Sequence, residues 1–257
     1  MSEKNISFPS IKDVPASSWE KLAQMKIFFG HQSVGYNIID GVNDLMKENP
    51  QIRLNIAETN DPSDFNTALF AHFKVGKNRY PDSKIEAFED FLTKGIGDKA
   101  DIVFFKLCYV DLTAGTNVQN LFDKYKITMS RLKKLYPETT FVHVTVPLTS
   151  EAMGVKGCLK KAKDLVKKTI GRPVYNNINR NYFNEMLRKE YEGKVPIFDL
   201  AKIESTCPDG RRIGIKKDGK TSYAMVPDYT YDGGHLNETG RKKVAEQLLI
   251  LLANISK

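Results

Sequence analysis

Cysteine is scarce in this chain: Cys108, Cys158 and Cys207 are the only three among 257 residues. No C-x-x-C pair occurs and the count is odd, so neither a disulfide framework nor a thiolate zinc site is expected. Histidine is also sparse, at four, and no H-E-x-x-H pair exists. A metal would need His31, His72, His235 and Asp232 to converge from distant positions, and no metal site is expected. Long hydrophobic runs are missing. The longest, Leu248 to Ala253, falls well short of the ~18 residues of a membrane-spanning helix. The first fifteen residues are polar and lack the apolar core of a secretory signal, which leaves the compartment open. Glycine and proline, at 17 and 11, are ordinary in number and exclude collagen-like and low-complexity classes. Neither G-x-x-x-x-G-K-[ST] nor G-x-G-x-x-G occurs, which argues against a nucleotide-binding domain.

What the chain does have is 39 basic against 31 acidic residues, a net charge of +8. Much of the excess lies in Lys156, Lys160, Lys161, Lys163, Lys167, Lys168 and Arg172. No aromatic residue interleaves with them, as single-strand nucleic-acid binding would favour, so they read as a solvated helix face. No nucleic-acid partner is expected.

Short β-rich runs alternate with helical periodicity along most of the length. Met25 to Gly30, Asp101 to Cys108, Thr139 to Val146 and Val195 to Leu200 read as strands, with Ile52 to Ile56 as an edge strand. Val34 to Lys47, Ser83 to Leu92, Val118 to Leu132, Val174 to Tyr191 and Arg241 to Ile255 carry apolar residues at helical spacing. Lys217-Asp-Gly-Lys220 marks a hairpin within residues 211–226. This alternation predicts a single α/β domain over residues 1–257, a flavodoxin-like α/β/α sandwich on a mostly parallel five-stranded sheet. Functional groups in such sheets gather beyond the carboxyl ends of the strands.

Two segments at those ends carry chemistry. After the first strand comes Gly30-His31-Gln32-Ser33-Val34-Gly35, leading directly into a helix. A serine there is favoured as a helix cap, but it also meets unpaired N–H groups that stabilise an anion, and it serves as a nucleophile if a base is near. Before the last helix comes Tyr231-Asp-Gly-Gly-His235-Leu-Asn237. Its glycines let Asp232 and His235 face one pocket from a single tight loop.

Together these segments resemble the SGNH (GDSL-type) hydrolases, whose first block holds a nucleophilic serine and whose last reads D-x-x-H. The resemblance implies Ser33, His235 and Asp232 as a triad cleaving an acyl ester, such as an O-acetyl group on a carbohydrate, with no cofactor. The first block departs from G-D-S, reading Gly-His-Gln-Ser. For the oxyanion hole the family implies the N–H of Ser33 and a block-two glycine, for which Gly76 is the candidate. The block-three asparagine is replaced by Val110, and Asn78, Gln32 or Lys106 stands as the substitute donor, with Asn78 preferred. His31, Gln32, His72, Lys106 and Tyr109 are candidate substrate contacts, while His143 reads as a core residue and Cys108 as a buried thiol. The competing reading is a carbohydrate-binding module on the same fold, its hole eroded and its turnover lost.

Overall fold

The structure, a computed structural model of the chain, describes residues 5–150, 174–217 and 219–256. The Lys-rich stretch from Lys156 to Arg172, and Cys158, lie outside them. After helix α1 (Ala16–Leu22) come strand β1 (Lys26–His31) and helix α2 (Ser33–Glu48). Then follow β2 (Ile56–Glu58), β3 (Leu69–Lys74), α3 (Pro81–Phe91), β4 (Ile102–Phe105) and α4 (Val118–Leu135). The remainder is β5 (Thr140–Phe141), β6 (His143–Val144), α5 (Val174–Tyr191), β7 (Ile197–Phe198), α6 (Leu200–Glu204), the hairpin β8 (Gly214–Lys217) and β9 (Lys220–Tyr223), and α7 (Glu238–Ile255).

The central sheet is five-stranded and parallel, in the order β2-β3-β1-β4-β5. Strands β6 and β7 pair separately in parallel, and β8 and β9 pair antiparallel. Apart from the added edge strand β2, the order is that of a flavodoxin-like sheet, with its switch point at β1. Each face carries its own apolar layer. On one, Phe29 and Phe104 meet Ile38 and Val42 of α2 and Val244 and Leu248 of α7. On the other, Phe28 and Phe105 meet Phe88 of α3 and Phe122 and Met129 of α4. Strands buried on both faces have apolar residues throughout rather than in alternation. Helices α2 and α7 lie close together because Gly41 has no side chain: a Cβ there would stand 2.4 Å from the Arg241 carbonyl oxygen.

The strands differ from the sequence-based expectation in three places. Residues 69–74, not anticipated as a strand, form β3 in the heart of the sheet, paired with β1 from Lys26↔Leu69 to His31↔Lys74. The edge strand lies at Ile56–Glu58 rather than from Ile52, whose N–H is turned back to the Asn49 carbonyl. The run from Thr139 to Val146 is broken at Val142, so that β5 pairs with β4 and β6 with β7. One cysteine expectation is corrected: Cys207 is disulfide-bonded, while Cys108 is free and buried. An odd count forbids complete pairing but not a single bond.

Beneath the carboxyl edge of the sheet lies a buried polar group of note. Glu204, at the end of α6, is fully buried; its Oε2 accepts from Leu148 N–H at 2.9 Å, and its Oε1 has no partner among the described residues. Burial pushes its carboxyl up to about 8, against the opposing pull of the Leu148 N–H and the charges of Lys106 and Arg180. A raised acid favours the folded state while protonated, and that advantage disappears as pH climbs from the ordinary carboxylate range through about 8. Glu204→Gln mimics the neutral form. Its melting temperature is expected to match wild type at about pH 4.5 and to exceed it by several degrees at about pH 8.5. A difference independent of pH would show that the carboxyl does not bind its proton on folding.

Candidate active site

Strand β1 delivers Ser33 to the sheet's carboxyl edge through a crowded turn. A Cβ at Gly30 would fall 2.6 Å from Val75 Cγ1, so only glycine fits between the neighbouring strands. The residue capping α2 is Gln32, extended at φ −136° and making no side-chain cap, and Ser33 occupies the first helical position. Ser33 is therefore not the cap that its position before a helix suggested. Its Oγ instead lies 2.9 Å from His235 Nε2.

The loop ahead of α7 holds the other two residues. Thr230 Oγ1 donates to the His235 carbonyl at 2.6 Å and accepts from Gly233 N–H at 2.9 Å, which closes the loop on itself. Gly233 sits at φ +85°, a left-handed conformation natural to glycine. Leu236 N–H donates to Asn37 Oδ1 at 3.2 Å, which fastens the loop to α2. Within it, Asp232 Oδ1 accepts from Gly234 N–H at 2.9 Å and His235 N–H at 2.7 Å, while Oδ2 lies 2.6 Å from His235 Nδ1. Partial burial pushes the Asp232 carboxyl up, but the hydrogen bonds from His235 and Gly234 outweigh it and hold the group below its usual range. A carboxylate can only accept, so Nδ1 carries the proton and Nε2 is free to accept from the Ser33 hydroxyl.

The rings around His235 differ in exposure. Tyr109, 4% exposed, meets it edge-on at 5.7 Å, and a Cβ at Gly234 would strike the Tyr109 ring at 2.7 Å. Buried Arg180 fixes this tyrosine by donating from Nε to its carbonyl at 2.9 Å. Tyr231 lies nearly parallel to the imidazole, at 11° and 6.0 Å, and is 65% exposed.

The β3–α3 loop approaches from the other side of β1. Gln32 Nε2 donates to the carbonyls of Val75 and Gly76, each at 2.9 Å, tying this loop to the residue before Ser33. Gly76 is at φ +53°, and a Cβ there would lie 2.5 Å from the Ser83 carbonyl oxygen; its own N–H has no hydrogen-bond partner among the described residues. Asn78 is exposed, and its Oδ1 accepts from Lys84 Nζ at 2.8 Å, which leaves the NH₂ group to point elsewhere. Lys84 also pairs with Asp111 at 2.6 Å, both side chains fully buried, and Asp111 accepts from Cys108 N–H at 2.6 Å and Arg79 N–H at 2.8 Å. Val110 packs against the core and offers no donor.

Of the five residues expected to contact substrate, four are buried. His31 is fully enclosed because its ring fills the space above Gly35, where a Cβ would come within 2.1 Å of it. Its Nδ1 lies 2.9 Å from the Gln32 carbonyl, which can only accept, so Nε2 accepts from His72 Nδ1 at 2.9 Å. Desolvation holds His31 neutral, pushed down to about 3, and lowers His72 as well. Lys106 is fully buried with Cys108 Sγ 3.6 Å from its Nζ, Tyr109 is buried against His235, and the Gln32 amide is committed to the loop. These side chains shape the site from beneath.

Arg79, Lys84, Asp111, Asn37 and Thr230 did not stand out in the sequence. Each acts through a partner far along the chain or through backbone, and no local spacing marks such contacts. Among the described residues no group of three histidine, cysteine or acidic side chains could hold a metal, and no helix is long and apolar enough to cross a membrane.

Comparison with known proteins gives a family match and distant structural likenesses. The profile described as GDSL-like Lipase/Acylhydrolase matches residues 28–248. A structure titled as a putative platelet activating factor from Streptococcus pneumoniae superposes with a TM-score of 0.51 at 13% identity, covering 92% of this chain and 90% of that one. The lipase Lip_vut3 from a goat rumen metagenome gives 0.50 at 10% identity, over 88% of this chain and 97% of that one. At such identities the likeness speaks for the fold alone. A search of curated proteins gives no match.

Proposed function

The chain belongs to the GDSL-like lipase/acylhydrolase family, and we propose that it is a serine ester hydrolase working through Ser33, His235 and Asp232. The observation that carries this reading is the unbroken chain from Ser33 Oγ to His235 Nε2 at 2.9 Å and from His235 Nδ1 to Asp232 Oδ2 at 2.6 Å. Ser33 Oγ attacks the acyl carbonyl carbon as His235 Nε2 takes its proton, and Asp232 holds the imidazolium that forms. His235 then returns the proton to the departing alcohol. A water, activated by the same nitrogen, releases the acyl group from Ser33.

The tetrahedral oxyanion needs donors aimed at it before the reaction begins. The N–H of Ser33 at the head of α2 and the unclaimed N–H of Gly76 supply two. The amide of Asn78, its oxygen held by Lys84, supplies the third in place of the residue that Val110 replaces. An acyl ester on a carbohydrate, such as an O-acetyl group, suits the exposed face of Tyr231 beside His235, since a sugar ring packs well on an aromatic ring.

Covalent labelling by a fluorophosphonate probe tests the reading. Ser33 is expected to be the labelled residue, identified by peptide mass, and Asn78→Ala to slow labelling by about 10²–10³, the usual effect of losing one oxyanion donor. Absence of labelling at Ser33 in folded protein would favour the binding-module alternative, in which the altered hole no longer supports turnover.

A further inference from the structure

Residues 77–80 form a tight turn, with Tyr80 N–H donating to the Lys77 carbonyl at 3.2 Å. Arg79, its third residue, has φ +71° and is the one non-glycine residue with positive φ among the described residues. Glycine or asparagine normally fills such a position, because a larger side chain is strained there. Nothing in the packing requires arginine: its side chain is exposed and makes no hydrogen bond or ion pair among the described residues. The structure holds the backbone in place instead, through Asp111 Oδ1 and Arg79 N–H at 2.8 Å.

The turn's location gives the strain a purpose. Strand β1 lies between β3 and β4, so a loop leaving β3 and bonded to Asp111 beyond β4 must cross the end of β1, where Ser33 begins. Lys77 on the same turn is also exposed and unpaired among the described residues. Among the described residues no acid forms an ion pair with either cation. Asp111 is saturated by Lys84, Cys108 N–H and Arg79 N–H, Glu58 is bonded to Tyr36 OH, and Asp82 faces Lys124 at 3.4 Å.

We propose that Arg79, assisted by Lys77, binds an anionic group, carboxylate or phosphate, that the substrate carries beside its ester. The guanidinium suits either anion because its planar fork donates two parallel hydrogen bonds. This rests on the hydrolase reading only for where the ester sits, since anion binding itself needs no turnover.

The test uses the full chain with three probes: an O-acetylated methyl glucuronide, an O-acetylated methyl glucoside and an O-acetylated glucose 6-phosphate. Affinities are measured by calorimetry on the Ser33→Ala protein, and kcat/KM on the wild type. Binding of at least one anionic probe is expected to be about tenfold or more tighter than the neutral one, to weaken with salt, and to show whether carboxylate or phosphate is preferred. Arg79→Gln is expected to bring the anionic-to-neutral ratio close to one, and Arg79→Lys to restore part of it. Arg79→Gly is expected to raise the melting temperature by relieving the strain while losing the same preference. Equal affinity for all three probes in the unsubstituted turn, or a loss in Arg79→Gln equal for charged and neutral probes, overturns the proposal. Turnover without a charge preference refutes the anion site and leaves the hydrolase standing. A charge preference without turnover does the reverse.

Discussion

Ser33→Ala is expected to lower kcat/KM for an accepted ester by about 10⁶, and adding His235→Ala to cost little more, because residues acting as one unit do not contribute additively. The geometry explains why. On the proposed triad, Ser33 Oγ gains nucleophilicity only by passing its proton to His235 Nε2, 2.9 Å away, and that nitrogen has no other described side chain to accept from. Without the hydroxyl the imidazole has no proton to take, and without the imidazole the hydroxyl stays neutral. Rates for both single variants and the double one, with folding checked by circular dichroism, decide the matter. Full activity in either single variant, or losses that multiply in the double one, would separate the two residues.

The second large effect concerns Asp232. Asp232→Asn is expected to lower kcat by about 10⁴ with the loop intact. The replacement keeps an oxygen that can accept from Gly234 and His235 N–H, which lie 2.9 and 2.7 Å from Oδ1. It then turns an NH₂ donor toward His235 Nδ1, where the carboxylate accepts at 2.6 Å. The ring answers by moving its proton to Nε2, so the nitrogen facing Ser33 becomes a donor and can no longer take the hydroxyl proton. A pH-rate profile and a thermal melt of the variant separate this from unfolding. A melting temperature near wild type with kcat barely changed would mean that Asp232 does not fix the tautomer.

The two ends of the candidate site could be brought together from the sequence because each is local. Gly30 to Gly35 and Tyr231 to Asn237 each combine a turn, a helix start and reactive side chains within seven residues, and short-range physics links those features. Harder to read was everything that depends on neighbouring strands. Residues 69–74 lack alternation because β3 is buried on both faces, and His72 within them reads as a substrate contact until its Nδ1 meets His31. Asp111, Lys84 and Arg79 belong to three separate loops and helices, and their network exists only once β3 and β4 flank β1. For the same reason His31, Gln32, Lys106 and Tyr109 looked available to substrate. Proximity in sequence to a cleft does not say which way a strand's side chains point.

Helices α2 and α7 set Ser33 against His235, yet the two are 202 positions apart. During synthesis at ~5–20 residues per second, roughly 10–40 s pass between the emergence of one and the other. Over that interval β1, β3 and β4 are already available to pair, and the serine stands at its helix end with no partner to take its proton. If Ser33 and His235 work as proposed, the order in which the parts are made keeps a nascent chain chemically silent toward the esters around it, and reactivity arrives only when α7 docks beside α2.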